Sequence, residues 1–216
     1  MLSNSVMQIV ALMEIAISSA ILLALLMQEL FFKAEGAVRM VALRALVCFV
    51  LANLLFWPVF TLISPLELPL AAYVRGFTGE LSITAMLLLW TAYISQKEIH
   101  VPAGVKVWIA LVAIVFYPLA LGVSMLDPYA WGFGSFTLLA AVIATALFAW
   151  LAGFNRIAII LALSILAWAV GWHESANLWD YILDPFLGLW AIGSLIWSAW
   201  RGRAAQAQTG YLFRKG

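Results

Sequence analysis

Seven apolar runs follow one another along this chain, at residues 6–31, 38–63, 79–94, 105–126, 128–152, 156–172 and 185–200, with only short connections between them. About 20 apolar residues in a helix cross the hydrocarbon layer of a bilayer, and a helix leaves no backbone group unpaired inside it. A chain of 216 residues that is 66% apolar and 10% charged cannot enclose so much apolar surface in a water-soluble core. The sequence therefore predicts an all-α integral membrane protein. It forms one bundle of seven transmembrane helices over residues 1–200, with a short basic tail at 201–216 and no room for a separate soluble domain.

The cations orient the bundle. Of the 11 Lys and Arg residues, only Arg75 falls on the side of the N-terminus. Lys33, Arg39 and Arg44 flank the first connection, Lys97 and Lys106 the third, and Arg156 the fifth. Arg201, Arg203, Arg214 and Lys215 follow the seventh helix. The positive-inside rule places the N-terminus outside and the C-terminus in the cytoplasm, in a plasma membrane of bacterial inner-membrane type. The first residues lack the basic leader of a signal peptide, so the first apolar run is expected to stay as a helix. The single cysteine, Cys48, permits no internal disulfide. The basic residues form no patch interleaved with exposed aromatics, which excludes a nucleic-acid partner.

The outer connections carry most of the remaining polar chemistry. Ser64-Pro65, Asp127-Pro128 and Asp184-Pro185 read as helix starts, because a Ser or Asp cap accepts from orphan amides and proline fits the first helical position. The two Asp-Pro pairs are expected to open the fifth and seventh helices at the outer surface. The stretch from Trp172 to Leu183 reads as an amphipathic segment lying in the outer interface on its aromatic rings. The seventh helix is expected to continue past Arg201, and the tail to lie on anionic headgroups. No internal repeat of the kind found in many secondary transporters is visible.

Six residues stand out as candidate ligand-binding groups: Glu14, Arg75, Glu80, His173, Glu174 and Asp180. Glu14 lies roughly 12 Å along the first helix and shares its face with Ala11 and Ser18, so it must turn inward. An acid inside the hydrocarbon is expensive and marks either a function or a buried partner. Arg75 and Glu80 bracket a Gly-Phe-Thr-Gly turn, and Glu80, Thr84 and Thr91 form a polar stripe at helical spacing. As the lone outer cation, Arg75 is a counter-ion for Glu80, for Glu174 or for an anionic ligand. His173, Glu174, Asp180 and Asp184 share one connection, but their spacing matches no standard metal site, and none is assigned.

Other constellations carry less. Gly122-Val123-Ser124 with His173 lacks the sequence context of intramembrane serine proteases. The seventh helix holds no lysine for retinal, and His100 and His173 fall on opposite sides, which excludes a haem between them. Most of the 11 tryptophans read as interfacial belts, with Trp168, Trp190 and Trp197 deeper. Asn53, Ser164 and Ser194 read as hydrogen bonds between helices.

Three functions fit this pattern. The first is a non-enzymatic protein that binds or helps to transport a polar or lipid-linked solute at the outer face. There Arg75 takes an anionic group, the carboxylates take hydroxyls or protons, and Trp172 and Trp179 flank the ligand, with proton coupling through Glu14. The second is an enzyme acting on a lipid-linked substrate, with His173 and Glu174 as acid and base. The third is an accessory subunit holding other membrane subunits and lipids through its apolar surface. No cofactor is indicated.

Overall fold

The computed structural model describes residues 4–31, 37–58, 68–95 and 101–212. Among these the regular structure is all helical, with no strand. The helices are α1 (Asn4–Phe31), α2 (Ala37–Phe56), α3 (Leu70–Thr78), α4 (Ile83–Ser95), α5 (Ala103–Ala120), α6 (Phe136–Leu151), α7 (Asn155–Val170), α8 (Trp179–Ile182) and α9 (Pro185–Leu212). A 3₁₀ turn, Tyr129–Gly132, precedes α6. Each of the seven apolar runs supplies one long helix, while α3 and α8 are short additions in the connections.

Two stretches, Ser5–Met27 of α1 and Ala103–Ala120 of α5, are long and apolar enough to cross a membrane. The apolar parts of α2, α4, α6 and α7 are shorter. α1 packs on α2, α3 and α4; α4 packs on α7; α6 on α7; and α5 on α9. Small side chains allow the close approach at α1, where Ala16, Ala20 and Ala24 are buried against α2 and its neighbours.

The boundaries depart from the sequence reading in three places. Asp127-Pro128 does not open a helix. Asp127 Oδ1 accepts from the amides of Tyr129 (2.9 Å) and Ala130 (3.3 Å) and so starts the 3₁₀ turn. The following helix, α6, begins eight residues later under Ser135, whose hydroxyl accepts from Leu138 N. Second, the helix expected from residue 79 begins at Ile83, because the Gly79 backbone at φ 72° breaks the chain between α3 and α4. Third, the Trp172–Leu183 segment does not lie flat on the surface. It folds inward, burying His173, Asn177, Leu178 and Tyr181.

The Asp184-Pro185 pair does open α9, with Leu187 N donating to Asp184 Oδ1 at 2.8 Å. α9 continues past Arg201 to Leu212, so most of the expected tail is helical. Of the three expected interhelical hydrogen bonds, Ser164 alone crosses, to Thr84 at 3.0 Å. Asn53 bonds Phe49 and Trp57 of its own stretch, and Ser194 bonds Ala191. The Ser64-Pro65 start and the side chains of Lys33, Lys97, His100, Arg214 and Lys215 lie outside the described residues.

Candidate functional site: a carboxylate and imidazole cluster

The turn that ends α7 builds the site. Gly171 adopts the left-handed conformation (φ 65°, ψ 51°), with its amide on Trp168 O and the amide of Trp172 on Ala167 O. This is the Schellman arrangement, in which glycine avoids the roughly 1 to 2 kcal/mol that a side chain incurs there. The chain reverses and delivers Trp172 and His173 back against α1. Trp172 Nε1 donates to Glu14 Oε1 at 2.5 Å, and His173 Nε2 lies 3.2 Å from Glu14 Oε2.

Tyr181 fixes the other side of the loop. Its ring stacks on the His173 imidazole with centroids 5.0 Å apart and 22° between planes. Its hydroxyl accepts from His173 N (3.0 Å) and donates to Ser175 O (2.9 Å). Burial pushes this phenol above its ordinary range; the His173 backbone contact works against that, and the Glu80, Asp180 and Glu14 charges add to it. Trp168, expected deeper in the bundle, packs against the core around Tyr181 and Leu178 and donates to Ala176 O at 2.9 Å.

α3 and the α3–α4 connection bring the remaining charges. Arg75 donates to Glu80 Oε1 and lies 3.2 Å from Glu174 Oε1. Burial alone would lower the guanidinium pKa, but the Glu174 and Glu80 carboxylates outweigh it and raise it. The second oxygen of Glu80 faces the imidazole from the side opposite Glu14, with His173 Nδ1 to Glu80 Oε2 at 3.7 Å. The His173 side chain is 2% exposed. Its Nδ1 is buried without a hydrogen bond.

Five of the six candidate residues therefore converge: Glu14, Arg75, Glu80, His173 and Glu174. Three carboxylates face one guanidinium and one imidazole. Each of the two inner carboxylates has one oxygen held by a fixed donor, Trp172 or Arg75, and the other turned to a ring nitrogen of His173. A small cleft lined by Ala11, Glu14, Ile15, Glu80, Leu81 and Met86 reaches the pair, with room for about one water. Among the described residues no three His, Cys, Asp or Glu side chains are placed to hold a metal ion together.

The sixth candidate, Asp180, belongs elsewhere. It accepts from Ser175 Oγ and from Tyr129 Oη at 3.0 Å, and with burial it raises the Tyr129 phenol. Trp179 does not flank the cluster; it donates to Pro128 O at 2.9 Å and packs on Phe116. Glu174 pairs with Arg75 rather than with His173. Ser124 lies in an exposed turn with its hydroxyl accepting from Leu126 N.

Two supporting residues escaped the sequence reading. Ser82 ties Asp184 to the start of α4, with its amide (2.9 Å) and hydroxyl (2.6 Å) both donating to Asp184 Oδ2. Tyr181 holds the His173 loop. An Asp-Pro pair signals a cap, but nothing local signals a partner 102 residues away. In the sequence Tyr181 reads only as one of the interfacial aromatic rings. The chain matches no family model, no curated protein and no solved structure.

Proposed function

We propose that this chain is a seven-span membrane protein of a bacterial-type inner membrane, N-terminus outside, that binds a polar solute at its outer end through the Glu14–His173–Glu80 cluster. The convergence of those three side chains from α1, the α3–α4 connection and the α7–α8 connection is the observation that carries the reading. Ionisable groups at such depth are expensive, and natural chains keep them where they act on a ligand or an ion. Sidedness draws support from the opposite end of the bundle. There Arg44, near the start of α2, lies over the Tyr93 ring near the end of α4, 4.6 Å from its centroid. Arg201 lies over Trp197 at 5.1 Å.

Charge selects the solute. Arg75 is engaged by two carboxylates, so it does not offer an open site for an anionic group. The excess of carboxylates favours a solute with a protonated amine or several hydroxyl donors, whether free or carried on a lipid. Glu174, whose side chain is 49% exposed, is the entry group.

The polar column below the cluster is short. Ser18 accepts from Trp90 (3.0 Å) and Thr84 meets Ser164, after which Ala20, Ile21, Ala24 and Cys48 form an apolar plug. This supports binding from the outer face over free passage. The enzyme reading has less support, because Glu174 turns to Arg75 and so does not form an acid–base pair with His173.

Native purification in nanodiscs, followed by mass spectrometry of retained small molecules, tests the proposal. The expected result is a cationic or donor-rich solute whose occupancy falls about tenfold or more in Glu14→Gln and Glu80→Gln, since each removes a charge-assisted bond worth on the order of 1.5–3 kcal/mol. Retention of stoichiometric protein subunits and no solute would overturn it in favour of an accessory subunit.

A further inference from the structure

We infer that His173 is a proton relay that loads Glu14 from the outer face through Glu80. The inference rests on the outer-site reading and names one ion that the site handles. Its basis is the two-sided placement of the imidazole, with a carboxylate oxygen 3.2 Å from Nε2 and another 3.7 Å from Nδ1. A purely structural histidine buried to this degree ordinarily satisfies both nitrogens. Here Nδ1 has no hydrogen bond and faces Oε2 of Glu80, in the connection between α3 and α4.

The groups around the ring are arranged for transfer in one line. Glu14 approaches from α1, Glu80 from the α3–α4 connection, Arg75 from α3 behind Glu80, and Glu174 from the loop beside Arg75. Tyr181 of α8 stacks on the ring and fixes its plane. Trp172 holds Glu14 Oε1 and Arg75 holds Glu80 Oε1, which leaves Oε2 of each acid as the oxygen that faces the ring. Trp172, Arg75 and Tyr181 are positioning residues.

Loading takes up one proton from solution, and the ring gains one proton for each that it gives. A proton from the outer solution protonates Glu80 Oε2. Glu80 passes it to His173 Nδ1, and the ring passes its Nε2 hydrogen to Glu14 Oε2. Glu80 is again a carboxylate, Glu14 is a carboxylic acid, and the neutral ring has exchanged its Nε2–H form for its Nδ1–H form. Unloading runs the same transfers in reverse. No oxidant, metal or second reactant is needed.

A pH jump on the full-length protein in liposomes, followed by time-resolved infrared spectroscopy, tests the relay with the proton itself as probe. The carboxylic C=O band that disappears in Glu14→Gln reports loading. In His173→Gln that band should reach a comparable final amplitude about 100-fold more slowly, the low end of what a positioned proton-transfer group supplies. An unchanged rate would overturn the relay. Should His173→Gln not fold, ¹⁵N-histidine spectra of the otherwise native chain decide the matter. With His100→Gln, a single ring remains. It should convert from Nε2–H to Nδ1–H on loading, and a ring that keeps one form overturns the proposal. Retention of solute with an unaltered loading rate would remove the relay and leave the binding reading intact.

Discussion

Asp184→Ala is expected to lower the unfolding free energy by about 4 kcal/mol, the largest loss from any single truncation around the His173 loop. Asp184 is 4% exposed and serves two elements at once. One oxygen caps α9 through Leu187 N, and the other accepts both the amide and the hydroxyl of Ser82. Losing a cap costs about 1 kcal/mol, and each buried donor left without its charged acceptor costs on the order of 1–3 kcal/mol more. Asp127→Ala is the control. Asp127 also precedes a proline and accepts two amides, yet it is exposed, and its loss should cost about 1 kcal/mol or less. Denaturant unfolding of both variants in nanodiscs measures the difference, and equal losses would mean that Asp184 acts only as a helix cap.

The second large effect is expected at Tyr181→Phe, at about 3 kcal/mol. The side chain is fully buried, and its hydroxyl is the partner of His173 N and Ser175 O. Phenylalanine keeps the stacking surface and removes only the oxygen, leaving a buried amide and a part-buried carbonyl without partners, at on the order of 1–3 kcal/mol for the amide and the low end of that for the carbonyl. The loss should be local as well as global. Backbone amides of residues 173–178 should exchange with solvent faster by orders of magnitude, while those of α1 and α4 keep their protection. Uniform acceleration across all helices would mean that Tyr181 is only a core residue and does not fasten the loop.

These two residues mark how far the sequence could be read. The helical elements were legible because apolar length is a local property, and α1 and α5 begin within a few residues of their apolar runs. The exceptions have physical causes. Asp127-Pro128 and Asp184-Pro185 are alike as dipeptides, and both aspartates do accept amides; only the chain after Pro185 continues as a helix at once. Gly132 explains part of this. A side chain there would collide with the buried Asn177 amide, so the 129–132 turn is locked to the 175–179 loop and α6 must start later.

The site was legible where cost made a residue conspicuous. Glu14 stands out in the sequence because an acid in an apolar helix needs a partner, and Arg75 because it is the one cation that the positive-inside pattern sets apart from the rest. Its pairing with Glu80 and Glu174 followed from charge alone. What the sequence concealed was which histidine edge meets which acid, since Glu14 and His173 are 159 residues apart. Asp180 was grouped with His173 through proximity in the chain, but the one turn of α8 carries it to Tyr129 instead. Trp179 was placed by the same reasoning and is diverted by the same turn.

Glu14 and Glu80 approach opposite edges of the His173 ring, a placement that distance measurement by solid-state NMR in lipid bilayers can read out. Protein labelled with ¹⁵N in the histidine ring and ¹³C in the glutamate carboxyl groups, carrying His100→Gln, reports on His173 alone. The account predicts dipolar dephasing of Nε2 that vanishes in Glu14→Gln labelled in the same way, and weaker dephasing of Nδ1 that vanishes in Glu80→Gln. A ring whose two nitrogens show no glutamate carboxyl carbon within hydrogen-bonding range would contradict it.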